Sequence, residues 1–224
     1  MTALRETTAS RLTSEFVGTG FLLLSVVGSG IMAERLSPND VGLQLLENSI
    51  ATAGALTCLI LLFGSTSGAH FNPAVTLWAR LAGDLDNRMA GLYVVCQTAG
   101  GILGVIAANV IFELDAVFWS TKDRISGAAF LSEIIATFGL VIVIIGVVRS
   151  GKAQFVAFAV AAYIGGAYFF TSSTSFANPA VTVGRMFSDT FAGIAPASAP
   201  LFIVAQFIGA LGAVAVVNVT HPQR

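Results

Sequence analysis

Two stretches of five residues, Asn72-Pro73-Ala74-Val75-Thr76 and Asn178-Pro179-Ala180-Val181-Thr182, are identical. The chemistry they offer is hydrogen bonding rather than bond making. Asn is among the best helix N-caps, because its side-chain oxygen accepts from a first-turn N–H that has no intrahelical partner. Pro at the next position has no N–H to leave unpaired, and its fixed φ suits a first helical residue. Pro73 and Ala74, and likewise Pro179 and Ala180, therefore read as the N-termini of two short helices. A polar breaker precedes each copy: Gly64-Ser65-Thr66-Ser67-Gly68 in one case, Thr171-Ser172-Ser173-Thr174-Ser175 in the other. Covalent and metal chemistry have no comparable signature. His70 and His221 lie far apart, Cys58 and Cys96 lack C-x-x-C spacing, and no nucleophile stands beside a base. The chain reads as a non-enzyme with neither metal nor cofactor, and its cysteines as buried, inert thiols.

The elements that must hold these residues are set by composition. The chain of 224 residues is 55% hydrophobic and 10% charged, with a mean hydropathy of +0.84. Soluble domains carry about 25% charge, so this chain cannot clothe a surface in water and reads as an integral membrane protein. A net charge of −1 and the lack of a basic run exclude nucleic acid as a partner. A helix needs about 20 apolar residues to cross the bilayer core. Spans are expected near Phe16–Met32, Leu43–Phe63, Met89–Phe112, Ala128–Val148, Phe155–Phe170 and Leu201–Val219. The breaker Gly64–Phe71 and the short helix Pro73–Leu81 fall between spans two and three. Their counterparts, the Ser/Thr breaker and Pro179–Phe187, fall between spans five and six.

This is one plan written twice, and the chain reads as a single membrane domain, 1–224, with halves at about 1–112 and 127–224. Glu15 and Glu133 open the first span of each half, and Gln97-Thr98-Ala99-Gly100-Gly101 answers Gln206-Phe207-Ile208-Gly209-Ala210. An odd number of spans separates the halves, so they face opposite ways. With the termini cytoplasmic, Arg5, Arg11, Arg80, Arg88, Arg149, Lys152 and Arg224 lie inside, seven of the 11 basic residues. In inverted repeats, half-helix N-termini meet near the bilayer midplane beside the permeation site. Non-helical backbone is tolerated at that depth only inside protein or along a water-filled cavity. The pattern predicts a pore with Asn72 and Asn178 facing each other at its middle. Glu15 and Glu133 are expected to brace the breakers by accepting from their backbone N–H groups. His70 is read equally as a pore-lining residue or a loop brace. Gly18, Gly20, Gly100, Gly101, Gly104, Gly209 and Gly212 should let helices cross closely.

Ser67-Gly68-Ala69-His70-Phe71-Asn72-Pro73-Ala74-Val75-Thr76, Asn178-Pro179-Ala180, the paired glutamates and Gln97 together resemble the aquaporin family, the major intrinsic proteins, over nearly the whole chain. The resemblance implies an all-α membrane fold, a right-handed bundle of six transmembrane helices with two re-entrant half-helices. It also implies a homotetramer with one pore per subunit in the cell (inner) membrane, and passive conduction of small uncharged solutes and water. In that setting each Asn keeps its oxygen for capping and offers its NH₂ to a passing solute. The two half-helix N-termini each place about half a positive charge at the midplane, a field that opposes cations and proton hopping.

One position departs from the family pattern. Members usually carry Arg directly after the second Asn-Pro-Ala, on the outer selectivity filter; this chain has Val181, with Arg185 four residues on. Offsets from the motifs place the other filter positions at Thr52, Gly166 and Ser175. Thr, Gly, Ser and Val are small, so the filter reads as wide and uncharged. Such a filter is similar to that of a bacterial aquaglyceroporin subgroup associated with arsenite. The expected solutes are glycerol-like polyols, trivalent metalloid hydroxides such as arsenous acid, and some water. A water-selective aquaporin is the alternative, and a proton-coupled secondary transporter a weaker one.

Overall fold

The computed structural model describes residues 7–221; Arg5 and Arg224, which entered the orientation argument, lie outside them. The helices are α1 (Thr8–Leu36), α2 (Val41–Ser67), α3 (Pro73–Ala82), α4 (Asn87–Ile111), α5 (Gly127–Arg149), α6 (Val156–Phe170), α7 (Pro179–Gly184) and α8 (Ala199–Thr220). No strand occurs among the described residues. Six helices are long and apolar enough to cross a bilayer, α6 being counted with the 3₁₀ turn Ala153–Phe155 that leads into it. The other two, α3 and α7, have only 10 and six residues.

The polar residues between spans act as caps. Asp40 accepts from the Leu43 N–H at 2.9 Å, Asp86 from Met89 at 2.7 Å and Ser126 from Ala129 at 3.0 Å, starting α2, α4 and α5. Each removes one of the orphan donors that every helix start exposes. The end of α2 corrects the expectation that the break begins at Gly64. Gly64–Ser67 remain helical, and the chain leaves the helix only at Gly68, with φ of 85°. Ser and Thr are compatible with helix, whereas Gly68 takes the left-handed conformation that glycine adopts without Cβ strain. The second half-helix is also shorter than expected, since α7 tightens into a 3₁₀ turn over Arg185–Phe187.

In each half the first span packs along the third: α1 on α4, and α5 on α8. Glycine makes both crossings possible. Gly100 and Gly104, one turn apart on α4, stand where any Cβ would run into the α1 backbone at Phe16 and Gly20. Gly209 on α8 meets the backbone of Ile134 on α5 in the same way. Close backbone approach of this kind replaces the hydrophobic effect as a source of helix association in lipid. Outside, Phe21, Leu103, Leu131, Phe158 and Leu211 are exposed, as suits a surface facing acyl chains rather than water. Cys58 joins this outer face and Cys96 is half-buried, so the cysteines are not the buried pair that the sequence suggested.

Candidate functional site: the central cavity and its two capped half-helices

Each half-helix starts as its residues dictate. The Asn72 Oδ1 accepts from Ala74 N–H at 2.9 Å, and the Asn178 Oδ1 from Ala180 at 2.9 Å and Val181 at 3.3 Å, with Pro73 and Pro179 in the first turn. The amide nitrogens are less free than capping alone would leave them. Asn72 Nδ2 donates to the Ala177 carbonyl at 2.7 Å, and Asn178 Nδ2 to the Phe71 carbonyl at 2.8 Å. Each Asn thus ties its own helix start to the opposite breaker, and one N–H of each NH₂ remains. Both side chains border the cavity.

The breakers are strained in matched places. Ala69 and Phe71 have φ of 48° and 49°, and Ser175 and Ala177 have 53° and 47°. These positions lie three and one residues before each Asn. Left-handed backbone costs an L-residue roughly 1–2 kcal/mol and persists only where its surroundings fix it. Here the fixture is a buried carboxylate. Glu15 accepts from His70 N–H at 3.0 Å, Phe71 N–H at 2.8 Å, Gln97 Nε2 at 2.7 Å and the Ser67 hydroxyl at 2.6 Å. Glu133 accepts from Phe176 and Ala177 N–H, both at 2.9 Å, and from Gln206 Nε2 at 2.6 Å. Gln97 and Gln206 also donate to Thr76 and Thr182, both at 2.9 Å, tying each carboxylate to its half-helix.

What this scaffold buys is unpaired oxygen. Among the described residues no group donates to the carbonyls of Ala69, His70, Ser175 or Phe176, and all four residues border the cavity. Buried backbone carbonyls require a partner, and these four find none among the described residues of the protein. Facing this polar strip is an apolar wall. It comes from residues at helical spacing, such as Leu22 and Val26 on α1, Leu56 and Ile60 on α2, and Val160 and Ile164 on α6. The cavity measures about 640 Å³. His70 takes both of its alternatives: it borders the cavity, and its Nδ1 lies 3.1 Å from the Thr76 hydroxyl.

At the end away from Arg11 and Asp84, the cavity reaches Thr52, Ser175 and Val181, three of the residues placed there by offset. Gly166 is the correction. It is exposed on the outer face of α6, with only the Phe170 ring near where its Cβ would stand. Tyr168, two residues further and so about 200° around the helix, lines the cavity, its hydroxyl 3.0 Å from that of Thr52. The signal that would have found it is the four-residue stripe Val156, Val160, Ile164, Tyr168, all of which line the lumen. Arg185 also reaches this end. It is buried, donates through Nε to the Ala192 carbonyl, and lays its guanidinium 3.4 Å from the centre of the Phe176 ring.

The loops outside the spans hold that end in place. Asp189 accepts from the Thr121 N–H at 2.9 Å and the Thr121 hydroxyl at 2.9 Å, joining the loop after α4 to the one after α7. The Thr121 N–H in particular holds the Asp189 carboxyl below its ordinary value. Asp123 is lowered likewise, first by the Ile125 N–H and then by the Ser198 hydroxyl.

The sequence profile described as "Major intrinsic protein" matches residues 3–173. The chain belongs to the major intrinsic protein family. Aquaglyceroporin AqpS of Rhizobium meliloti (strain 1021) is 45% identical over 208 residues, covering 93% of this chain and 88% of that protein. Aquaporin NIP1-1 of Arabidopsis thaliana is 32% identical over 154 residues, covering 64% of this chain and 50% of the plant protein. Among solved structures, the aquaglyceroporin from Plasmodium falciparum superposes with a TM-score of 0.75 at 21% identity, covering 95% of this chain and 96% of its own, a likeness of fold. Like other major intrinsic proteins, this one is a multi-pass membrane channel, not an enzyme, and conducts small neutral solutes passively.

Proposed function

We propose that this major intrinsic protein conducts glycerol-like polyols and trivalent metalloid hydroxides such as arsenous acid, together with some water. The observation that carries this reading is the amphipathic lumen. Unpaired carbonyls and Asn amides form one strip, and aliphatic side chains form the other. A polyol needs both, with acceptors and donors for its hydroxyls and an apolar surface for its carbons. A metalloid hydroxide offers the same ring of hydroxyls. An ion must instead shed its hydration shell with no full set of replacement ligands, a large cost in a low-dielectric channel. Thr52, Ser175 and Val181 act in this reading as the permissive part of the outer filter, with Asn72 and Asn178 as the midplane donors. Glu15 and Glu133 act as structural support.

The same proposal takes residues 1–224 as one channel domain of two inverted halves. It forms a homotetramer in the inner membrane with both termini in the cytoplasm, and cross-linking in native membranes would report the four-subunit ladder. The solute reading is tested by stopped-flow light scattering of proteoliposomes with water, glycerol and urea, alongside Val181→Arg. The variant should lose the larger solutes first. Equal loss of every solute, or no change, would remove Val181 from the filter.

A further inference from the structure

We infer that Arg185 restores, from one helical turn further along, the fixed positive charge that Val181 removes from the outer end of the pore, and so acts as its cation-excluding residue. This rests on the channel reading above and corrects its simplest form, in which that end is uncharged. Four observations meet on this residue. Arg185 is 2% exposed, yet borders the cavity together with Val181, Phe176 and Ser175. Its Nε is spent on the Ala192 carbonyl, but its two terminal nitrogens bond to no protein group among the described residues. The Ser175 hydroxyl beside it is buried and likewise unpartnered. Its guanidinium is stacked on Phe176, which fixes where the charge sits.

The surroundings leave that charge uncompensated at the lumen. Arg124 approaches the same ring, 5.0 Å from its centre, and is anchored through Nε to the Gly193 carbonyl at 2.9 Å. A second cation therefore stands behind the first. The nearest acid, Glu133, spends its oxygens on Phe176, Ala177 and Gln206. A guanidinium is always charged, and its planar donors stack well on an aromatic face. Bordering the same cavity as Thr52 and Tyr168, it offers a passing hydroxyl two donors while repelling any cation. Position 185 thus supplies the fixed charge that position 181 does not.

The test uses full-length protein in liposomes, comparing urea with guanidinium, a neutral and a cationic solute of similar size, and glycerol as the channel control. Wild type should pass urea and glycerol and hold guanidinium at the level of protein-free vesicles. Arg185→Gln, which keeps a flat donor side chain, should raise the ratio of guanidinium to urea flux roughly tenfold or more above wild type, because one fixed charge has gone from a low-dielectric constriction. Arg185→Lys should restore exclusion. An unchanged ratio of guanidinium to urea flux in Arg185→Gln would overturn the inference and leave Arg185 a brace for the outer loops. Guanidinium entry through wild type would overturn it without any variant, which covers the case in which Arg185→Gln fails to assemble. Failure of wild type to pass glycerol and urea would instead strike the solute reading.

Discussion

Glu133 holds two strained residues of the outer breaker with a single carboxylate. Removing it leaves the N–H groups of Phe176 and Ala177 and one N–H of the Gln206 amide without an acceptor in a buried site, the other still donating to Thr182. Each buried unsatisfied donor costs about 1–3 kcal/mol. Glu133→Ala should therefore lower the thermal unfolding midpoint in detergent by several degrees or more, and Glu133→Gln, which keeps one acceptor oxygen, should recover part of the loss. An unchanged midpoint in the alanine variant would show that the breaker holds its shape without the carboxylate. Tyr168→Phe is a milder change. It deletes one hydroxyl contact with Thr52, worth about 0.5–1.5 kcal/mol. Asp189 gives a pH dependence. Its carboxyl is lowered in the folded state, so its contribution is fully present above the ordinary carboxylate value and drains away as pH falls through the lower folded one. Protection of the Thr121 amide, its exchange rate relative to the intrinsic rate at each pH, should fall below about pH 4; protection that stays flat into that range would contradict the contact.

The half-helices and their crossings belong to the scale of elements. Gly100 and Gly104 let α4 lie against the α1 backbone, so Gly100→Leu must wedge the pair apart. Overpacking typically costs about 1–3 kcal/mol, and here it also displaces Gln97, one turn away on α4. Monodisperse protein in size-exclusion chromatography should fall sharply for this variant, whereas Gly91→Leu, with open space around it, should behave as wild type. At this scale the sequence was most legible. Asn followed by Pro is a local cap, and its meaning needs no tertiary context. Gly68 stopped α2 later than the polar run suggested, because Ser and Thr tolerate helix until a residue with positive φ arrives. Filter positions were less legible. An offset counted from a motif crosses a breaker of uncertain length, and an error of two residues exchanges Gly166 on the outer face of α6 for Tyr168 at the cavity. Arg185 was visible four residues past Val181, but how it is held at the cavity was not, since that depends on the ring of Phe176 and the carbonyl of Ala192.

Across the whole molecule the two halves repeat their hydrogen bonds as well as their sequence. Glu15, Gln97, Thr76 and Asn72 are answered by Glu133, Gln206, Thr182 and Asn178, with each Asn reaching the other half's breaker. The repeat breaks at the two ends. His70 packs its edge against Tyr93 on one side of the midplane, where Phe176 packs against Phe202 on the other. In the proposed reading, this symmetric scaffold with unlike ends would hold solute at the middle and discriminate at one mouth. The central claim is that this lumen takes hydroxylated solutes larger than water. Stopped-flow light scattering of proteoliposomes under a glycerol gradient tests it most directly. Glycerol flux should be non-saturating, well above that of protein-free vesicles and indifferent to an imposed pH gradient. Water flux with no glycerol flux, or glycerol flux that needs the pH gradient, would contradict it.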